Sequence, residues 1–199
     1  MITLIDYGMG NLNSVAKALS YLGQAVMISS DADQVSKADR LILPGVGAME
    51  YAVASLQARQ LDEAIKQYLQ TGRPFLGICL GMQLMFERSE EGRSEGLGLL
   101  PGYVRRFPRQ AGLKVPHIGW NQVACSGDLL IPEKTSYYFV HSYYVVPAEK
   151  QCVAAVCHHG VDFPAAIRTD AILLTQFHPE KSGDAGIQLL QGWLERPLL

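Results

Sequence analysis

Short apolar runs alternate with helical patterns over about the first 88 residues of this 199-residue chain. Four runs are typical of short buried strands, at residues 1–5, 25–28, 41–43 and 74–78. Apolar residues recur at helical spacing in three segments, at residues 14–22, 48–69 and 80–88. Because strands joined through helices form right-handed crossovers, this order predicts an α/β fold with a mostly parallel sheet flanked by helices.

The pattern changes after Ser89, where strands and turns replace the alternation. Residues 103–161 contain β-rich runs, such as 137–145, without helices between them, which predicts an added antiparallel section beside the parallel sheet. The Pro- and Gly-containing segment 114–121 is predicted to be a loop. No linker separates the two halves, so we expect a single domain over residues 1–199.

Composition excludes several functional classes. The 17 Lys and Arg residues nearly balance the 19 Asp and Glu residues, and a net charge of −2 argues against a nucleic-acid or anionic-membrane partner. The longest apolar run, 74–86, is interrupted by two glycines and Gln83, so no membrane span is expected. The N-terminal sequence lacks the basic region of a secretory signal, which predicts a cytoplasmic protein with its four cysteines as thiols.

The segment Gly77-Ile-Cys79-Leu80-Gly81 lies between a predicted strand and a predicted helix. This is the setting of a nucleophile elbow, in which a tight turn forces the nucleophile into a strained backbone conformation that flanking glycines accommodate. The helix N-terminus would favour a thiolate at Cys79, and the backbone N–H of Leu80 could bind an oxyanion. The alternative is a buried structural cysteine.

A thiolate nucleophile needs a base, and the base needs a group that orients it. His178 and Glu180 are two residues apart in Gln-Phe-His-Pro-Glu, so in an extended segment their side chains point the same way. The carboxylate could then hold the imidazole tautomer while His178 faces the sulfur. The alternative is a surface turn with a solvated His–Glu pair. The elbow and this pair together predict a Cys79–His178–Glu180 triad.

The loop Pro44-Gly45-Val46-Gly47 follows the third predicted strand. It offers backbone N–H groups rather than side-chain chemistry, so it is a candidate second contributor to an oxyanion site. The alternative is an ordinary turn between a strand and a helix.

Two other chemistries find little support in the sequence. A dinucleotide fingerprint beginning at Gly8 would need a third glycine where Asn13 stands. Cys152 and Cys157 lack the CxxC spacing that structural zinc sites use. We therefore expect neither a metal site nor a cofactor.

Six segments taken together resemble the class I (triad) glutamine amidotransferases, with the HPE motif contained in the last of them. The elbow GICLGMQLMF and the HPE motif are shared across that family. The segments IDYGMGNLNS, LPGVGA, KVPHIGWN, YFVHSYY and QFHPEKSG narrow the resemblance to the glutaminase subunits of imidazole glycerol phosphate synthase, in histidine biosynthesis. The match covers nearly the whole chain, with Met49 and residues 171–174 as modest departures.

The resemblance implies hydrolysis of glutamine to glutamate and ammonia through a glutamyl thioester on Cys79. It implies that Gln83, Ser142 and Tyr143 help to hold glutamine. It further implies a heterodimer with a cyclase subunit of (β/α)8-barrel type, which receives the ammonia and makes imidazole glycerol phosphate and AICAR. The expected interface residues are Asn11, Trp120 and Lys181.

Three alternatives stay open at this point. The chain could be a cysteine hydrolase that acts alone on an ester or peptide, but such an enzyme gives no reason for PGVG or KVPHIGWN. It could be the glutaminase subunit of another biosynthetic amidotransferase. It could also be a non-catalytic interaction subunit, in which Cys79 is only part of the core, but this does not explain the presence of both the elbow and HPE.

Overall fold

A computed structural model describes residues 1–92, 94–125 and 130–196 of the chain. It contains twelve strands in the order β1 (Ile2–Ile5), β2 (Val26–Ser29), β3 (Arg40–Leu43), β4 (Phe75–Ile78), β5 (Phe86–Ser89), β6 (Leu100–Arg106), β7 (His117–Cys125), β8 (Ser136–His141), β9 (Tyr143–Pro147), β10 (Val153–His158), β11 (Asp162–Arg168) and β12 (Ile172–Thr175). The helices are α1 (Leu12–Tyr21), α2 (Ala32–Ser36), α3 (Met49–Ala58), α4 (Leu61–Leu69), α5 (Leu80–Gln83) and α6 (Gly183–Leu194). Two 3-10 turns cover Lys150–Cys152 and Pro179–Lys181.

The main sheet has nine strands in the order β2-β1-β3-β4-β12-β11-β10-β7-β8. The first five strands in that order pair in parallel, and the pairs from β12 to β8 are antiparallel. A second, three-stranded sheet has the order β5-β6-β9. The predicted parallel sheet with an added antiparallel section is therefore confirmed.

Helices cover both faces of the parallel strands, because strand residues alternate between the two faces. On one face, Leu4 and Ile42 pack in a cluster with buried residues of α1 and α6. On the other face, Ile5 and Leu43 pack with buried residues of α2, α3 and α4. The central parallel strands are thus covered on both faces, whereas Ile28 of the edge strand β2 is exposed. Side chains can therefore reach a cavity chiefly from the strand ends.

Three predicted elements differ from the structure. The helix predicted over 48–69 is two helices, α3 and α4, because Gln60 adopts a left-handed conformation with φ of 57° between them. The helix predicted over 80–88 ends after one turn at Gln83, and β5 follows. Phe86, the first residue of β5, is fully buried in the second sheet, which favours the strand over a longer helix. The loop predicted over 114–121 continues into β7 from His117 onward.

The run 137–145, which the sequence presents as one stretch, is divided between the two sheets. β8 ends at His141 in the large sheet, and β9 begins at Tyr143 in the small one. Ser142 is the single residue between them, and its carbonyl accepts a hydrogen bond from the N–H of Phe107 at 3.1 Å. The chain therefore bends sharply at the position where the resemblance places substrate-holding residues.

Three neighbouring parallel strands end at one edge of the large sheet. The carboxyl ends of β3, β4 and β12 lead into Pro44, Cys79 and Gln176. In open α/β sheets, sites form outside the carboxyl ends of the strands, so topology alone brings the three predicted site segments together.

Gly81 lets these segments approach closely. A Cβ atom at Gly81 would lie 1.9 Å from the carbonyl oxygen of Leu43, at the end of β3.

No helix in the described ranges is long and apolar enough to cross a membrane.

Replacing Gly81 with alanine should therefore destabilise the fold. We expect Gly81→Ala to lower the free energy of unfolding by at least about 3 kcal/mol, because backbone must move to admit the methyl group. Gly23→Ala is the control: Gly23 has φ of 74° and no atom within 4 Å of an added Cβ, so it carries only the backbone cost of about 1 kcal/mol. Urea denaturation measures both, and equal losses would contradict the prediction.

Candidate active site

Cys79 lies at the sharp turn between β4 and α5, with φ of 54° and ψ of −106°. This left-handed conformation is rare for a residue with a side chain and is found where surrounding structure imposes it. The N–H of Cys79 donates to the carbonyl of Thr175 at 2.7 Å, which ties the turn to β12. Gly77 leaves room beside the turn, since a Cβ there would lie 2.7 Å from the side chain of Leu174. The predicted elbow geometry is therefore present.

The side chains of His178 and Glu180 form a buried pair. The Nδ1 of His178 lies 2.7 Å from Oε1 of Glu180, and both side chains are 2% exposed. A carboxylate accepts only, so the Nδ1 of His178 carries the proton of this bond and Nε2 is left for other chemistry. The Nε2 of His178 has no hydrogen-bond partner among the residues that the structure describes.

Two neighbours act on the charge of His178. Burial by itself lowers the pKa of this imidazole, but the Cys79 thiol and the Glu180 carboxylate outweigh burial and raise the pKa to about 10. The Cys79 sulfur is therefore close enough to interact with the imidazole, although the two do not form a hydrogen bond of ordinary geometry here. A protonated His178 is the charge state that this environment favours.

The turn that contains His178 is anchored to β8. The N–H of His178 donates to the carbonyl of Tyr138 at 2.9 Å. The hydroxyl of Ser182 donates to the carbonyl of His178 at 2.6 Å and accepts from the N–H of Tyr138 at 3.0 Å. The imidazole is thus positioned by backbone contacts on one side and by Glu180 on the other.

A cavity of about 400 Å³ opens at the Cys79 turn. This volume is within the ~300–1,000 Å³ that is common for small-molecule sites. Its lining residues come from the segments after the three strand ends, from the bend between the sheets, from the loop after β5 and from the residue before β7: Val46, Gly47, Cys79, Leu80, Gln83, Glu91, Pro116, Val140, His141, Ser142, Tyr143 and Lys181. The predicted substrate residues Gln83, Ser142 and Tyr143 therefore line one cavity with the predicted nucleophile.

The loop of Gly45, Val46 and Gly47 runs beside the elbow. Gly45 is buried against it, since a Cβ atom there would lie 2.9 Å from Cβ of Leu80. Val46 and Gly47 line the cavity, and Gly47 has φ of 98°. Leu80 is the first residue of α5, so its N–H has no acceptor within the helix. All four residues predicted for the oxyanion site lie at the elbow, although Gly45 is behind the cavity wall.

Polar side chains form a buried network beneath the cavity. The Nε2 of Gln83 donates to the carbonyl of Tyr143 and to Oε1 of Gln176, both at 3.0 Å. The Nε2 of Gln176 in turn donates to the sulfur of Cys79 at 3.7 Å. Sequence reasoning did not single out Gln176, although it stands two residues before His178 and would share its strand-end position.

Glu91 is a second cavity residue that sequence reasoning missed. Its carboxylate accepts a hydrogen bond at 2.9 Å from the N–H of Met49, the first residue of α3. Glu91 is the carboxylate among the described lining residues of the cavity. It lies in a polar loop far from the strand ends in sequence, where composition alone indicated only solvent exposure.

The residues predicted for a partner interface occupy neighbouring surface elements. Trp120 is 59% exposed, and its ring lies 6.2 Å from that of Tyr138. Lys181 is exposed at the edge of the cavity, with its ammonium 5.9 Å from the same tyrosine ring. Asn11 is half-buried and caps α1 by accepting from the N–H of Ser14 at 3.4 Å. Residues 1–92, 94–125 and 130–196 contain no group of three or more His, Cys, Asp or Glu arranged to hold a metal ion.

Solved structures of low sequence identity share this fold. A crystal structure of a glutamine amidotransferase superposes with a TM-score of 0.77 at 18% identity and covers 98% of both chains. The structure of PurLQS from Thermotoga maritima gives a TM-score of 0.74 at 18% identity, with 97% of this chain and 96% of that chain covered.

Sequence comparisons are more specific. A protein of Rhodopirellula baltica named imidazole glycerol phosphate synthase subunit HisH is 48% identical over 202 residues, with 100% of this chain and 98% of its own covered. A protein of the same name from Moorella thermoacetica is 49% identical over 199 residues, with 98% and 94% covered. The model of the family glutamine amidotransferase class-I matches residues 3–194. The chain therefore belongs to the class I glutamine amidotransferases.

Proposed function

We propose that this chain is the glutaminase subunit of an imidazole glycerol phosphate synthase in histidine biosynthesis, with one amidotransferase domain over residues 1–199. It hydrolyses glutamine to glutamate and ammonia and passes the ammonia to a cyclase subunit. The observation that carries the proposal is the strained Cys79 turn at the cavity, together with the buried His178–Glu180 pair whose imidazole interacts with the Cys79 thiol. The full-length relatives named as subunits of that synthase supply the pathway.

The first half of the reaction forms a thioester. The Cys79 thiolate attacks the side-chain carbonyl carbon of glutamine, and the carbonyl oxygen becomes an oxyanion. Leu80, Val46 and Gly47 line the cavity, where the N–H of Leu80 and the backbone of residues 46–47 can donate to that oxyanion. Protonated His178 then gives its proton to the amide nitrogen as the C–N bond breaks, which releases ammonia and leaves a glutamyl thioester on Cys79.

The second half regenerates the enzyme. Neutral His178 takes a proton from water, the resulting hydroxide attacks the thioester carbonyl, and the C–S bond breaks to give glutamate and the thiolate. Glu180 holds the imidazole in one tautomer and stabilises its charged form throughout.

The cavity also fits the rest of a glutamine molecule. Gln83, Ser142 and Tyr143 offer polar groups for its α-carboxylate and carboxamide. Glu91 is placed to bind the α-ammonium, because a carboxylate in the cavity wall attracts that charge. Neither contact needs a cofactor.

Ammonia released into water at neutral pH becomes mostly ammonium, which is not a nucleophile. We therefore place a partner of (β/α)8-barrel type against the surface of Asn11, Trp120 and Lys181, beside the cavity. We also place the enzyme in the cytoplasm, because Cys79 must stay a thiol.

Removal of the nucleophile should abolish turnover. Cys79→Ala should lower glutamate release by at least ~10³-fold, since no other group can form the thioester. Cys152→Ala is the matched control, because Cys152 is a half-buried thiol that lies outside the described lining of the cavity. Glutamate release is measured with the cyclase subunit and its nucleotide ligand present. Activity that survives in Cys79→Ala would rule out the assignment of the nucleophile.

Loss of the Glu180 carboxylate should impair catalysis and shift its pH dependence. Glu180→Gln should lower kcat by about 10²–10⁴-fold, because the imidazole loses its orienting acceptor. The raised pKa of His178 should also fall, so the protonated acid is lost at a lower pH and the alkaline limb of the kcat profile moves to lower pH.

Asp162→Asn is the matched control for Glu180→Gln. Asp162 holds the Nδ1 of His158 at 2.6 Å, but that pair is exposed and lies outside the cavity. We expect its kcat and pH profile to match those of the wild type. An unchanged alkaline limb in Glu180→Gln would contradict the role given to the carboxylate.

The docking surface can be tested by binding. Trp120→Ala should raise the Kd for the barrel cyclase by at least about 10-fold, because tryptophan is enriched among interface hot spots and Trp120 is exposed. Tyr21→Ala removes an even more exposed aromatic residue at the far end of α1 and should leave Kd unchanged. Titration calorimetry measures both, and equal effects would place the interface elsewhere.

A further inference from the structure

We propose that Gln176 is a further catalytic residue, whose side-chain amide donates a hydrogen bond to the Cys79 sulfur and holds it as an oriented thiolate. This inference rests on the proposed function, because it takes Cys79 as the nucleophile. The resemblance in the sequence assigned Gln176 no role.

The backbone position of Gln176 directs its side chain toward Cys79. The residue follows β12 directly and is fully buried, and its N–H donates to the carbonyl of Ala165 at 2.8 Å. From that anchored backbone, the amide nitrogen lies 3.7 Å from the Cys79 sulfur. A distance of this size is within the range for an N–H donor to the large sulfur atom, which makes the amide a contact of the nucleophile itself.

Two neighbours settle which end of the Gln176 amide faces the sulfur. An amide can turn by 180° and exchange its donor and acceptor, so the network must decide. The carbonyl of Tyr143 can only accept, which turns the NH₂ group of Gln83 toward it at 3.0 Å. The same NH₂ group also donates to Gln176 at 3.0 Å, so the atom of Gln176 that faces it must be the accepting Oε1. The oxygen of Gln176 therefore points to Gln83, and its NH₂ group points to the thiol.

His141 also donates to the carbonyl of Tyr143, which ends this hydrogen-bond network. Burial lowers the pKa of His141 to about 3, so its imidazole is neutral. Its Nδ1 lies 2.7 Å from the carbonyl of Tyr143, and only a protonated Nδ1 can make that bond. The carbonyl of Tyr143 therefore receives two donors, His141 and Gln83, which leaves the orientation of Gln83 no freedom.

The Gln176 contact favours the charged form of the nucleophile. As a thiol, Cys79 can donate to the carbonyl of Val140, which lies 3.9 Å away. As a thiolate it has no proton to donate, and that carbonyl becomes a repulsive neighbour, whereas the N–H of Gln176 becomes a charge-assisted donor. Because the amide is neutral, it stabilises the thiolate without competing with the positive charge of His178.

The test is the pH dependence of Cys79 alkylation by iodoacetamide in the full chain, followed by peptide mass mapping. Gln176→Met keeps the length of the side chain and removes the donor. We expect the pH midpoint of Cys79 alkylation to rise by about one unit, which is a tenfold loss of reaction rate at a fixed pH below the midpoint. Gln176→Glu keeps the shape and places an oxygen against the sulfur, so its midpoint should rise further.

Controls within the same molecule separate this role from a structural one. Cys157 is buried on β10, and its alkylation increases only if the fold opens. Gln122→Met is the matched variant, because the Gln122 amide donates to the carbonyl of Lys134 at 2.7 Å, away from the cavity. We expect Gln122→Met to leave the Cys79 midpoint unchanged and Cys157 to stay protected in all variants.

The outcomes distinguish this inference from the proposed function. Cys79 midpoints of Gln176→Met and Gln176→Glu that match the wild type would overturn the role of Gln176, whatever the glutaminase activity. If Cys157 becomes reactive in Gln176→Met, the isosteric Gln176→Glu decides the question alone. The proposed function fails separately, if Cys79→Ala still releases glutamate. A shifted midpoint, together with a fall in kcat and little change in KM, supports the inference.

Discussion

The close approach of the β4–α5 turn to the end of β3 is the constraint on which the rest of the site depends. Gly81 lies so near the Leu43 carbonyl that no side chain fits between them, and Gly45 also lies close against Leu80. These contacts hold Cys79 in a left-handed conformation that an isolated peptide would avoid. The nucleophile, the first helical N–H and the neighbouring loop therefore take their places together, as one packed unit.

Much of this could be read from the sequence, because it depends on local chemistry. Glycines on both sides of Cys79, between an apolar run and a helical pattern, allow few conformations other than an elbow. His178 and Glu180 are close in sequence, and they pair, although through a 3-10 turn over Pro179–Lys181 instead of the predicted extended segment. Alternation of strands and helices then places the strand ends on one edge.

The features that could not be predicted from the sequence depend on contacts between distant segments. Gln176 and Glu91 are ordinary polar residues until folding brings one to a sulfur and the other to a cavity wall. The division of 137–145 at Ser142 follows from the pairing of β9 with β6, and no pattern in the sequence identifies β6 as the partner of β9. Residues 117–121 of the predicted loop lie in β7 for the same reason, since pairing with β8 overrides the Gly signal there.

The one-residue bend at Ser142 has a mechanical consequence. The large sheet ends at His141 and the small sheet begins at Tyr143, and both residues line the cavity. Because one residue links the two strands, a displacement of one sheet against the other would act directly on residues that line the cavity. The shape of the site is therefore coupled to the relative position of the two sheets.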